Sequence, residues 1–223
     1  MSIDKQDVQQ ACRRCGECCR KGGPALHGPD LEFIRSGAIP RSGLITLRKG
    51  ELAHDPTVGG LTPLAQELIK IKGTGREWNC CYYDGQGKGC TIYKQRPIAC
   101  RVLKCWDPDE LLEMVNRDTL TRLDILEEDD PLISLVKEHD RLFPCPDMAE
   151  LGTGGIGLRE ERKREIRSLV NGDLRFRDRM VKEYGLKLSD ELFYFGRPLF
   201  QLLQPLGIRI SESPVGVELH WPG

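Results

Sequence analysis

Cys12-Arg13-Arg14-Cys15-Gly16-Glu17-Cys18-Cys19 places four sulfurs within eight residues, and the rest of the chain is read outward from it. A second group follows at Cys80, Cys81, Cys90, Cys100 and Cys105, so nine of the ten cysteines fall in the first 105 of 223 residues. Crowded thiolates are what a soft metal ion needs, because a short loop can turn several sulfurs toward one point. Gly16 permits the positive backbone angle that a tight ligand loop often takes. Arg13, Arg14, Arg20 and Lys21 flank the sulfurs. Such a basic patch is either an ordinary solvated surface or an offset for the negative charge of metal-bound thiolates.

The compartment bears on how the cysteines are read. The segment Met1–Gln10 is polar, without an apolar core or a small-residue cleavage site, so no signal peptide is expected. There is no apolar run of about eighteen residues, so no spanning helix is expected either. A cytoplasmic protein is the expectation, and in that reducing setting clustered thiols point to metal or redox chemistry rather than disulfides. The adjacent pairs Cys18-Cys19 and Cys80-Cys81 also make a disulfide framework awkward. Unliganded core cysteines would be scattered along the chain, and these are not. A hydrophobic share of 39% and a charged share of 30% fit a soluble globular protein. A net charge of −1 exerts no global pull on nucleic acid or anionic membrane, which leaves an unknown protein as the expected kind of partner.

Composition and periodicity predict an α+β chain. An irregular, metal-organised domain with short strands is expected over 1–106, and a mainly helical region ending in a β-hairpin over 107–223. Residues 1–11 read as a short polar helix or arm. A helix is predicted at 30–36 with Asp30 as its N-cap, and a strand at Leu44–Leu47. A Pro- and Gly-rich loop follows at 54–63, then a helical turn or a strand within 64–72. Trp78–Tyr83, the turn Asp84–Gly89 and Cys90–Tyr93 read as a hairpin that brings Cys81 and Cys90 together. A helix starting at Ile98 carries Cys100 near its first turn. Cys100 and Cys105 would not share a helical face, so the backbone must leave the helix between them if both serve one centre. Asp107-Pro108 reads as the start of a helix whose face is Leu112, Val115, Thr119, Leu123 and Leu126. Another is expected over 131–142, with His139 a surface or packing residue. Cys145 reads as an ordinary thiol. Gly152-Thr153-Gly154-Gly155-Ile156-Gly157 matches G-x-G-x-x-G as a string but follows no buried strand, so it is read as a flexible linker. Helices are then expected at 158–170, capped by Asn171-Gly172, and at 173–184. A third is capped by Ser189 and kinked at Pro198, and strands follow at 208–210 and 215–219. The apolar stripes of this half read as core or as a docking face.

Two arrangements of the sulfurs compete: separate tetrahedral sites, or one convergent centre. C-x-x-C-x-x-C suits zinc and also three corners of a [4Fe–4S] cube with a remote fourth thiolate. An adjacent Cys-Cys pair is expected to point its side chains apart, so Cys19 reads as reaching a second metal, bridging two, or standing free. The ordered combination C-x2-C-x2-C-C, Cys81, Cys90-Thr91-Ile92-Tyr93 and Arg96-Pro97-x-x-Cys100-Arg101 resembles the CxxCxxCC family of YkgJ-type cysteine-cluster proteins over about residues 12–105. The resemblance implies zinc or iron held by Cys12, Cys15, Cys18, Cys19, Cys81, Cys90 and Cys100. A further cysteine is usual after the Cys-Arg pair, and Cys105 or Cys145 can fill that place; Cys105 is taken for proximity. Cys80 is extra to the pattern, which leaves open whether Cys80 or Cys81 points inward. Arg96 and Arg101 are candidates to donate hydrogen bonds to metal-bound sulfurs, or else make a turn and a surface pair.

The cofactor expected is an iron–sulfur cluster or zinc, with iron favoured because eight candidate thiolates exceed the need of one structural zinc. A redox or methyl-transfer enzyme using that centre, and a zinc-stapled interaction module, are the other classes. The sequence has no His–carboxylate set or nucleophile–base pair that would name a reaction.

Overall fold

The computed structural model describes residues 9, 11–86, 89–152, 154–214 and 216–222. The predicted arm over 1–11 therefore lies almost wholly outside the described residues, as do Gly87 and Lys88 of the turn, Thr153 of the glycine run and Val215 of the last strand.

The fold is α+β, with short strands in front and helices behind. The front half is built on β1 (Leu44–Leu47), buried along its whole length, and its antiparallel partner β4 (Leu68–Ile71), which pair from Leu44–Ile71 to Leu47–Leu68. Between them the expected loop is instead a hairpin of β2 (Leu52–Asp55) and β3 (Gly60–Pro63). The Asp55 carboxylate accepts from the Thr57 amide and hydroxyl at 2.8 and 2.6 Å, closing the turn, and Pro63 stands at the strand end. Two further segments are stitched to β4. Leu26 N–H donates to Ile69 O, Ile71 N–H to Pro24 O, and Ile69 N–H to Leu120 O. Gly23 makes this approach possible, because a Cβ there would lie 2.3 Å from the Ile71 carbonyl oxygen.

Four two-residue strands carry Cys80 and Cys90 of the second cysteine group: β5 (Gly73–Thr74) with β6 (Asn79–Cys80), and β7 (Tyr83–Asp84) with β8 (Gly89–Cys90). Short helices α1 (Glu17–Arg20), α2 (Leu31–Arg35) and α3 (Ile98–Val102) complete the front. The long helix predicted after Asp107 does not form. α4 (Asp109–Leu112) stops early, Asn116 and Asp118 take positive φ, and α5 (Arg122–Ile125) starts anew at a Thr121–Asp124 capping box. Tertiary demand overrides the stripe here. Leu120 must extend to bond Leu26 and Ile69, and Arg122, 2% exposed, must reach Glu67, Asp140 and the Tyr194 carbonyl.

Behind lie α6 (Ile133–Leu142), α7 (Met148–Leu151) and α8 (Glu160–Tyr184). α8 is one 25-residue helix where a stop at Asn171-Gly172 was expected. Asn171 exchanges hydrogen bonds with the Val217 backbone, and Gly172 lets Phe143 close in, a Cβ there lying 2.6 Å from its ring. Both residues serve packing rather than termination. α9 (Glu191–Phe195) and α10 (Leu199–Leu203) are separate helices broken at Gly196, not one kinked helix. The hairpin β9 (Arg209–Ser213) and β10 (Gly216–His220) ends the fold. Within the glycine run, Gly154 and Gly155 are buried against Pro222, Leu206 and Trp221, while Gly152, Ile156 and Gly157 are exposed.

One core runs from Leu26, Leu44, Ile69 and Cys80 to Val136, Phe176, Met180 and Phe195, so residues on both sides of position 106 share it. A second core joins α7, α8, α10 and the terminal hairpin. His139 is fully buried. Its Nε2 lies 2.7 Å from Asp173 Oδ1, and its ring packs among Phe143, Phe176 and Phe195. Among the described residues no helix is long and apolar enough to cross a membrane.

Candidate metal centre

All ten thiols are free. Gly16, at φ 80°, turns the chain into α1 beneath the Tyr83 ring, where a Cβ would collide with Cε2. The turn of α1 then brings Cys18 and Cys19 to the same side, with sulfurs 4.0 Å apart, so they do not point apart as adjacency suggested. Two sulfurs on one tetrahedral ion at 2.3 Å would stand about 3.8 Å apart.

The other sulfurs arrive on separate elements. β6 presents Cys80, β8 presents Cys90 and α3 presents Cys100. The electrostatics show which of them face one another. Burial pushes the Cys19 thiol up to about 12, with Cys18, Cys80 and Cys90 adding to the shift. Burial pushes Cys80 up to about 11, with further upward contributions from Cys81, Cys90 and Cys18. Cys90 is raised by burial and by Cys18, while Arg96 opposes. Cys100 is raised furthest, by burial and then by Cys18, Cys80, Cys19 and Cys90. These five thiols form an inner group. Cys105 is raised by burial and by Cys18, Cys12 and Cys15, which marks an outer, exposed group of three with Cys18 common to both. α3 ends at Val102 and Leu103 is extended, so the backbone does leave the helix between Cys100 and Cys105.

Cys80 and Cys81 differ. Cys81 Sγ is directed at the Gly43 carbonyl at 3.8 Å; burial raises it and Lys72 opposes, and of the inner thiols it acts on its neighbour Cys80 alone. Cys145 lies elsewhere, packed on the second core and raised to about 11 by burial, with Arg48 opposing. Among the described residues, no group of three His, Cys, Asp or Glu side chains stands placed to hold a metal ion. The donor chemistry fits a thiophilic ion: neutral thiols that raise one another's pKa are relieved when a cation takes up their thiolates.

Several supports went unread in the sequence. Asp30, fully buried, does not cap its own helix. Its Oδ1 accepts from Ile98 N–H at 2.7 Å and its Oδ2 from His27 N–H at 3.0 Å, tying the first residue of α3 to the loop behind α1. Asp30 did stand out as a capping residue, but its long-range partner carries no sequence signal. Tyr93 lies 3.9 Å from the guanidinium carbons of both Arg14 and Arg96, holding the Cys12–Cys15 loop to the turn before Cys100. Arg96 donates to the Tyr93 and Cys100 carbonyls, not to sulfur, and Arg101 lies 5.6 Å from the centre of the Phe33 ring. Arg20 donates to the Tyr83 hydroxyl at 3.0 Å and pairs with Glu17.

Residues 11–120 match the family model CxxCxxCC, described as "Putative zinc- or iron-chelating domain". This segment is a CxxCxxCC domain. The match spans both sulfur groups and runs on to Leu120, the residue that bonds to Leu26 and Ile69. It supports metal binding and leaves zinc and iron equally open. No curated protein and no solved structure matches the chain.

Proposed function

We propose that this CxxCxxCC protein is a cytoplasmic iron protein whose clustered thiolates hold an iron–sulfur cluster. The observation that carries the reading is the convergence on Cys18: its sulfur lies 4.0 Å from that of Cys19, and it contributes to the raised thiols of Cys19, Cys80, Cys90, Cys100 and Cys105. In this reading Cys18, Cys19, Cys80, Cys90 and Cys100 supply the inner ligands, and Cys12, Cys15 and Cys105 close over them from the solvent side. Cys80 takes the role first given to Cys81. Eight thiolates exceed the need of one tetrahedral ion, and iron–sulfur clusters are held by Cys thiolates. The bound cluster would supply electron transfer or Lewis acidity. The protein's part is to gather and orient the thiols, whose protons the incoming cation displaces, with Arg14, Arg20 and Arg96 placing positive charge around them.

Zinc is the second reading, favoured by one observation. The 4.0 Å between the Cys18 and Cys19 sulfurs is close to the edge of a single tetrahedral site. One experiment separates the two: iron, zinc and acid-labile sulfide are measured in protein purified without oxygen, with visible spectra before and after dithionite. Iron with matching sulfide and a band that bleaches is the expected result. Colourless protein with stoichiometric zinc refutes the iron–sulfur reading and leaves a zinc-stapled fold.

A further inference from the structure

α8 carries eight basic residues, and they divide into two sets. Arg162, Lys163, Arg177 and Lys182 each form an ion pair. Arg164, Arg167, Arg175 and Arg179 form none among the described residues, and all four are exposed. At 3.6 residues per turn these four fall within an arc of about 120°. That arc faces two adjoining grooves. One, of about 720 Å³, runs between α6 and α8, with Leu142, Phe143, Leu169 and Phe176 as apolar lining and Arg175 and Arg179 along it. The other, of about 330 Å³, runs between α8 and the β9–β10 hairpin and holds Arg164, Arg167 and Arg175. Ser168 and Arg175 line both, so the grooves join. Glu138, Glu165 and Glu218 share the lining, but Glu165 is already held by Arg162, so guanidinium groups are in excess.

We propose that this joined groove docks an acidic, amphipathic helix of a partner protein. Arg164 to Arg179 spans about 22 Å along the axis, the length of four helical turns. Carboxylates on one face of such a helix meet the unpaired arginine forks, and its apolar stripe covers Leu142 and the exposed edge of Phe143. A phosphate backbone would use the arginines but leave the apolar lining wet. Of the two rings in the groove, Phe176 is buried and lies under the Arg179 guanidinium, 5.0 Å from its ring centre, and Phe143 is half-buried against His139, Phe176 and Gly172, so neither presents a nucleic acid with an open face to stack on. The α6–α8 side explains why the charge sits beside apolar surface, which a merely solvated face does not need.

The test uses the full-length, metal-loaded protein and three fluorescein-labelled probes read by anisotropy. They are a synthetic helical peptide of about twenty residues with Glu on one face and Leu on the other, a poly-Glu peptide of equal charge, and an oligo-dT of equal charge. The expected result is that the amphipathic peptide binds at least about ten-fold more tightly than either control and weakens with salt. R164E/R175E should remove that binding by at least about ten-fold, K182E should leave it unchanged, and metal content should be the same in all variants. Equal or tighter oligo-dT binding overturns the proposal in favour of a phosphate-backbone site. Parity with poly-Glu reduces the face to non-specific charge. Binding that is absent, or indifferent to R164E/R175E, leaves the arginines a solvated surface and refutes it. Because both substituted arginines are exposed and unpaired, unchanged metal content and thermal midpoint separate a lost groove from a lost fold.

Discussion

Asp30→Ala tests whether a buried carboxylate positions the metal ligands. Asp30 is fully buried, and its two oxygens accept from Ile98 N–H at 2.7 Å and His27 N–H at 3.0 Å. Hydrogen bonds to a charged group are worth about 1.5–3 kcal/mol each, and deletion leaves two amides without acceptors. Relief of the buried charge offsets part of that loss, so the expected cost is about 3 kcal/mol. Asp30→Asn keeps one oxygen and turns an NH2 toward the other donor, so it should fall between wild type and Ala, at about 2 kcal/mol. The assay is urea unfolding of reduced, chelator-stripped protein, followed by zinc affinity measured by chelator competition. Ile98 opens α3 and Cys100 lies two residues further along, so loosening that start should weaken metal affinity by about ten-fold or more. The reasoning is refuted if both variants cost less than about 1 kcal/mol, or if they unfold early yet bind metal like wild type, because the carboxylate would then not position Cys100.

Three other outcomes follow from the same geometry. Cys80→Ser should lower bound metal sharply while Cys81→Ser and Cys145→Ser leave it near wild type, measured by elemental analysis; equal loss at Cys80 and Cys81 contradicts the inward assignment of Cys80. Burial raises the Asp173 carboxyl, but the His139 hydrogen bond, the Arg177 charge and the Leu199 amide outweigh it and hold it at about 2. A depressed carboxyl stabilises the fold above its unfolded value near 3.8. That contribution, about 2 kcal/mol, is lost as pH falls from about 4 to 2, and chelator-stripped Asp173→Asn should show a shallower acid dependence over the same window. Gly172→Val should cost about 1–3 kcal/mol in thermal unfolding, because its Cβ would press on Phe143; neutrality would mean the helix can shift away.

What could be read in the sequence was local. The buried run Leu44–Leu47, the turn before Cys90, the helix carrying Cys100 and the final hairpin all follow from residue types within a few positions of each other. The cysteine spacing alone marked both sulfur groups. The misreadings share one cause, a distant partner that overrides a local signal. Asn171-Gly172 looks like a stop because Asn and Gly end helices. Here one bonds Val217 and the other admits Phe143. The stripe from Leu112 to Leu126 has helical spacing, but Leu120 is claimed by Leu26 and Ile69. Cys80 and Cys81 cannot be told apart by spacing, because neighbouring residues of an extended segment face opposite ways and only the pairing of β5 with β6 sets which is inward.

The same long-range bonds tie the sulfur groups to the helices behind them. β4 holds the segment that leads out of α1 through Pro24 and Leu26, and it also holds Leu120, which stands just before Arg122. Arg122 is buried against Glu67, Asp140 and the Tyr194 carbonyl, so it joins the strand loop to α6 and α9. Removing one partner of a buried, paired charge costs about 3–5 kcal/mol, because the remaining charge is stranded. The carboxylates left behind, Glu67 and Asp140, are 20% and 39% exposed and partly regain water, so Arg122→Met should destabilise the protein by about 3 kcal/mol, the low end of that range, although it touches no sulfur. Because Leu120 lies two residues away and bonds directly to the strand that carries the α1 loop, metal affinity in chelator competition should fall with it. If affinity holds while stability drops, the sulfur groups are organised by the front strands alone, and the helical half is attached to the metal domain without shaping it.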